Sequence, residues 1–161
     1  MKHILIDNAL EAWAMAIKYC NYILDGKATL QYRKQFVSSL HNAVELFMKQ
    51  LMLNNNDHRV CSVKKGCDAE GHPAVDFYNS HNLNNFFENI DDQVMKKFYS
   101  IEYNEICNLS KELFKEYYGD YTDDKKIVDE ALSLLGRLRN GETHFSIEKS
   151  IFLLDRSEER R

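Results

Sequence analysis

Helix breakers are scarce in this chain, which holds a single proline, Pro73, and six glycines among 161 residues. Folds built from many short strands and tight turns lean on both residue types, so their scarcity excludes a β-rich architecture. Long apolar runs are missing as well. None approaches the ~20 residues that a membrane-spanning helix needs, so no membrane association is expected. Paired cysteines are also absent: Cys20, Cys61, Cys67 and Cys107 contain no Cys-x2-Cys element, and the zinc-knuckle spacing is not met. Cys61 and Cys67, with His58, His72 and His81 nearby, read as a loop carrying two reduced thiols, with no metal site and no cofactor. Excess positive charge is lacking too. A net charge of −4 excludes a protein that coats nucleic acid by bulk electrostatics, while leaving room for a local basic cleft. Met1-Lys2-His3-Ile4-Leu5-Ile6 runs straight into Asp7 without a signal-peptide pattern, so the expected location is cytoplasmic, with reduced thiols.

What the chain does have is helical periodicity. Apolar residues recur every three or four positions in about five segments. The first runs from Asp7, a good N-cap, to Asp25, and Gly26 stops it; its stripe is Ala9, Trp13, Ala16, Ile17, Cys20, Ile23 and Leu24. The second runs from Thr29 to Asn54-Asn55-Asn56 with Phe36, Leu40, Ala43, Val44, Phe47 and Leu51 on one face, widened by Met48 and Met52 as in a helix packed on two sides. Periodicity then fails over 55–80, a stretch long enough to be functional or mobile. It returns from His81 to Phe98, again from Glu102 to Tyr118, and finally from Thr122 onward through Ile127, Val128, Ala131, Leu134, Leu135 and Leu138. A further helical piece is expected over Phe145 to Leu154. No strand and no internal repeat is evident. The expected fold is an all-α, single-domain bundle of about five helices over residues 1–156, with a long irregular connection after the second helix and a tail at 157–161.

Chemistry concentrates in Arg139-Asn140-Gly141-Glu142-Thr143-His144. A histidine moves protons near neutral pH, and an arginine grips a phosphate with its planar fork. In a straight helix these two positions stand about 140° apart, since each residue turns the axis by ~100°. They converge in one chain only where the helix breaks, and Asn140-Gly141 is a dipeptide that tolerates such a break. The spacing alone also fits a plain helix C-terminus with an exposed arginine.

Two other segments share this pattern's company. His41-Asn42-Ala43-Val44-Glu45-Leu46-Phe47-Met48-Lys49-Gln50-Leu51 has the form A-V-E-x-x-x-K-x-L, and Ser80-His81-Asn82-Leu83 has the form of a helix-opening H-[DN]-L step. With the Arg-Asn-x3-His motif, and in this order, the chain resembles the HEPN superfamily of helical proteins from prokaryotic toxin–antitoxin, phage-defence and RNA-processing systems. The resemblance covers residues 30 to 154. It implies a homodimer that joins two Arg/His pairs in one cleft and cuts RNA without metal. On that view the catalytic residues are Arg139, His144 and Asn140. His144 serves as base or acid, Arg139 stabilises the phosphorane, and Asn140 orients the arginine or contacts phosphate. Glu45 and Lys49 would support them near the cleft, and an antitoxin protein such as a nucleotidyltransferase would be a partner. Members modified by such a partner carry Tyr two positions after the histidine, where this chain has Ser146, which leaves that mode of control in doubt.

His41, Glu45 and Lys49 also have a plainer reading. At i, i+4 and i+8 they form one polar strip, and for His41 a solvated helix edge is the expected role. Tyr99, Tyr103, Tyr117, Tyr118 and Tyr121 offer rings for base stacking but read mainly as core or dimer surface. A catalytically silent helical dimer that binds a partner protein or nucleic acid in a defence or regulatory operon is the alternative function.

Overall fold

Gly26 and Thr29 organise the first two helices. The computed structural model describes residues 4–115 and 122–144, with α1 over Ile4–Leu24 and α2 over Leu30–Asn54. Gly26 takes φ +77°, and the amides of Gly26 and Lys27 reach back to the carbonyls of Ile23 and Tyr22, closing α1 with a Schellman-type cap. Thr29 Oγ1 accepts the Tyr32 amide at 3.2 Å and starts α2. At its far end Asn56 adopts φ +53°, where an Asn is tolerated, and the Asp57 amide returns to Met52. Asp7 does not cap α1; the helix begins earlier and holds Asp7 in its first turn, where the positive end of the dipole favours a carboxylate.

The buried face of α1 is narrower than its apolar stripe. Ala9, Ala12 and Ala16 are buried against α2, whereas Trp13, Ile17 and Leu24 stay exposed. Alanine lets the two backbones come close, and Trp13, though partly exposed, still sets its ring edge-on to Phe47 of α2 with centroids 6.4 Å apart. The other side of α2 packs on α6 (Tyr103–Leu113) and α7 (Thr122–His144). Ser110 Oγ donates to Asp129 Oδ1 at 2.9 Å across α6 and α7.

Between α2 and α6 the chain is neither a plain loop nor strand-free. After a turn of 3-10 helix at His58–Val60 comes β1 (Cys61–Val63), which pairs antiparallel with β2 (Phe98–Ser100) in the register Cys61 with Ser100 and Val63 with Phe98. Around this ribbon lie α3 (Asp76–Asn79), α4 (Leu83–Asn89) and α5 (Asp92–Met95). Phe77 of α3 is fully buried, and its ring meets Phe86 and Phe87 of α4 and Phe98 of β2 at centroid distances of 5.8, 5.8 and 5.4 Å. Stretch 55–80 is therefore half of a small aromatic core. The single helix expected from His81 to Phe98 is split, because Asp91 turns its carboxylate back to cap the amides of Gln93 and Val94 and opens a new helix. Asn82 caps α4 through the Asn85 amide at 2.9 Å, so Ser80-His81-Asn82-Leu83 does open a helix. The fold class is as expected, predominantly helical in one domain. The helix expected over 102–118 starts after Glu102 but ends at Leu113 with Phe114 as its C-cap; residues 116–118, the piece 145–154 and the tail 157–161 lie outside the described residues.

Burial sets the chemistry of Cys61, whose thiol is pushed up to about 12 by loss of solvent. At pH 8 the thiolate fraction is then on the order of one in ten thousand. Alkylation followed by mass spectrometry should label Cys61 far more slowly in the native chain than in urea. Equal rates would show the thiol to be in water.

Candidate functional site

The strip on α2 is not a solvated edge. Glu45 Oε1 accepts from Lys49 Nζ at 2.6 Å, and Glu45 Oε2 lies 3.8 Å from His41 Nδ1. His41 and Lys49 are both buried. The cover comes from α6 and α7: the Tyr103 ring lies over the His41 imidazole with centroids 4.0 Å apart and planes tilted by 33°. Tyr103 is held by its hydroxyl, which donates to the Leu132 carbonyl of α7 at 3.0 Å. It also explains Gly136. A Cβ there would stand 3.1 Å from Tyr103 Cε1, so the ring seats on bare backbone.

Charges in this layer act on one another. Burial lowers the pKa of His41; Glu45 opposes the shift, while Arg139 and then Lys49 add to it. Arg139 on α7 is thus near enough to His41 on α2 to disfavour its protonation. Burial likewise raises Tyr103 well above the ordinary phenol range, with contributions from Cys107 and Glu45. It raises Cys107 too, with Tyr103 opposing and Asp129 and Glu45 adding. At neutral pH His41 is therefore an uncharged imidazole, and its contact with Glu45 is not an ion pair.

A stability test follows from that sign. A folded-state pKa below the unfolded 6.5 means the unfolded chain binds the extra proton first. The stability contributed by neutral His41 is full above about 6.5 and is lost as pH falls below it. Urea midpoints should drop between pH 7.5 and 5.5, and His41→Gln should flatten the drop. An unchanged slope in His41→Gln would assign the acid sensitivity elsewhere.

Arg139 and Asn140 are neighbours in fact as in sequence, with Arg139 Nη1 donating to Asn140 Oδ1 at 3.4 Å. The break expected at Asn140-Gly141 is absent. The helix α7 runs through both residues to His144, and Gly141 is not among the glycines with positive φ. The backbone positions of Arg139 and His144 thus stand about 140° apart around the axis. The side chain of His144 lies outside the described residues. The fold brings together His41, Glu45 and Lys49 under Tyr103 and Cys107, with the exposed Arg139 near enough to act on the charge of His41. The i, i+4, i+8 spacing, flanked by Met48 and Met52 on a helix packed on two sides, was the available sign that His41 belonged here; nothing in the sequence pointed to Cys107.

A broad surface groove between α6 and α7 carries Lys111, Lys125, Lys126 and Arg137 against Asp129 and Glu130. It is a local basic tract on an acidic protein. Its ion pairs, Lys111–Asp129 at 3.8 Å and Lys126–Glu130 at 4.0 Å, are long and solvated, so they hold the lysines weakly. Among the described residues no three His, Cys, Asp or Glu side chains gather in a way that could hold a metal. His58 packs edge-on to Phe77, and His72 caps a 3-10 turn through the Ala74 amide. No helix among the described residues is long and apolar enough to cross a membrane. Comparison with family models, with curated proteins and with solved structures gives no match.

Proposed function

We propose that this chain is a metal-independent endoribonuclease of the HEPN type, serving as a toxin or phage-defence effector. The observation that carries the reading is Arg139 set against the buried His41–Glu45–Lys49 strip, with the Asn140 amide beside its guanidinium. Burying such charge is costly, and a fold retains it where it positions a functional group. Arg139 grips the scissile phosphate, and Asn140 restrains the arginine. The 2′-OH attacks the adjacent phosphorus, the P–O5′ bond breaks, the 2′ proton passes to a base, and the leaving 5′ oxygen takes a proton from an acid. The products are a 2′,3′-cyclic phosphate and a 5′-OH. His144 supplies one proton transfer. Because α7 continues straight to His144, each cleft pairs Arg139 of one copy with His144 of a second copy. The basic tract of Lys111, Lys125, Lys126 and Arg137 would follow the phosphate backbone despite the net negative charge. An antitoxin such as a nucleotidyltransferase is the partner that would restrain this activity.

One observation favours the second reading, a catalytically silent helical dimer that binds a partner protein or nucleic acid. The unbroken helix leaves Arg139 and His144 on different sides of a single chain. Incubating wild type and His144→Ala with total RNA in EDTA separates the two readings.

A further inference from the structure

Four lysines gather at one end of the β1–β2 ribbon. Lys64 and Lys65 follow β1, and Lys96 and Lys97 precede β2. The Lys64 amide donates to the Lys97 carbonyl at 2.8 Å, which extends the pairing and sets these two lysines across from each other. Side chains alternate between the two faces of a strand. Cys61, Val63 and Phe98 pack against the core, so Ser62 and Tyr99, and beyond them Lys64 and Lys97, belong to the outer face. Tyr99 is 61% exposed, and Lys64 Nζ stands 4.8 Å from its ring centroid, which fixes the two on one side. Like charges set opposite each other on a ribbon are destabilising. Among the described residues none of the four lysines has a carboxylate within ion-pair distance, unlike Lys111 and Lys126 of the α6–α7 groove. Of the nearby carboxylates, Asp68 accepts the Gly66 amide and Asp91 those of Gln93 and Val94.

We propose that the outer face of the ribbon binds single-stranded RNA, with a base stacked on Tyr99 and the flanking phosphates running along the four lysines. Ammonium groups beside an exposed ring are the combination that single strands use: stacking accepts any base, and the cations track the backbone. The surface belongs to the ribbon and not to α2 and α7, so it adds a hold on the strand that the Arg139 site does not contain. Duplex RNA keeps its base faces stacked and could not use Tyr99. An acidic peptide would answer the lysines and leave the ring idle. A lipid surface asks for several apolar side chains to insert, and among the described residues Met95 is the one large aliphatic side chain exposed beside the lysines. The choice of RNA over DNA rests on the nuclease reading; the ring and the lysines stand without it.

The test is fluorescence anisotropy of the full chain with a labelled single-stranded RNA of mixed sequence. The probe is 2′-O-methylated, so it has no internal nucleophile and binding is read without cleavage. Wild type should bind it at low salt. Tyr99→Ala should weaken binding about tenfold, the worth of one stacked base, and Tyr99→Phe should retain it. Lys64→Gln and Lys97→Gln should each lower the slope of log affinity against log salt by about 0.7, the share of one phosphate contact on a single strand. Urea midpoints should not fall in the glutamine variants, since each removes a like-charge repulsion. A wild type that ignores the probe at low salt would overturn the proposal, as would binding indifferent to Tyr99→Ala or to the lysine variants. So would tighter binding of DNA of the same sequence, equal competition by polyglutamate, or capture by vesicles of phosphatidylcholine and phosphatidylserine in place of RNA. Tyr99-dependent binding by a chain that cuts no unmodified RNA would uphold the ribbon surface and count against the nuclease.

Discussion

In EDTA the wild-type chain is expected to cut single-stranded RNA, and His144→Ala to lose roughly two to four orders of magnitude in rate, the usual worth of a positioned acid or base. Arg139→Lys should also lose activity while keeping its charge, because an ammonium cannot offer a phosphate two parallel donors. DNA should be spared, since without a 2′-OH it has no internal nucleophile. The pH profile separates the two histidines of interest. A rate governed by an ordinary imidazole turns near ~6.5, whereas His41 titrates lower because it is buried. A turn below that value, removed by His41→Gln but not by loss of His144, would move the proton-transfer role to His41. Loss of cleavage in EDTA that a divalent ion restores would sink the mechanism. No cleavage of any RNA class by a well-folded dimer would favour the silent-module reading.

Much of the bundle was legible because it is local. Gly26, Thr29 and Asn56 each act on amides or carbonyls within a few residues, so the end of the first helix and both limits of the second could be read from residue type alone, whereas Asp7 lies inside the first helix and not at its start. The region from His81 to Phe98 was misread because its apolar residues keep a helical period for another reason. Phe86 and Phe87 of α4 and Phe98 of β2 surround Phe77 of α3, and period cannot distinguish a helix stripe from rings gathered by tertiary contact. The β1–β2 ribbon escaped notice because three-residue strands leave no alternation to detect. Within the site, Arg139, Asn140, Glu45 and Lys49 were named from the sequence, yet the burial of His41 depends on Tyr103, distant in the chain. The hinge failed for a thermodynamic reason. Asn-Gly permits positive φ without requiring it, and the ~1 kcal/mol that glycine costs a helix does not break one.

Glu45→Ala is expected to destabilise the chain by about 3 kcal/mol, the scale for removing one partner of a buried ion pair. The Lys49 ammonium would lose its 2.6 Å acceptor at a position where its side chain is 11% exposed. Rearrangement toward water is limited, because α6 and α7 close that side of α2. Lys49→Met should cost less, since Glu45 is the more exposed partner at 22% and a carboxylate left there can recruit solvent. Replacing both by methionine should bring stability back to near the wild-type value or above it, as apolar pairs of similar volume do in such sites. Urea unfolding with an unchanged m-value is the measurement. If Glu45→Ala shifts stability by less than about half a kcal/mol, as surface pairs do, the strip is solvated and its role as a buried support for Arg139 falls. If the double methionine chain is as stable as wild type and cannot cut RNA, the charges serve the site rather than the fold. A stable double variant with full activity would mean that Arg139 needs no support from α2.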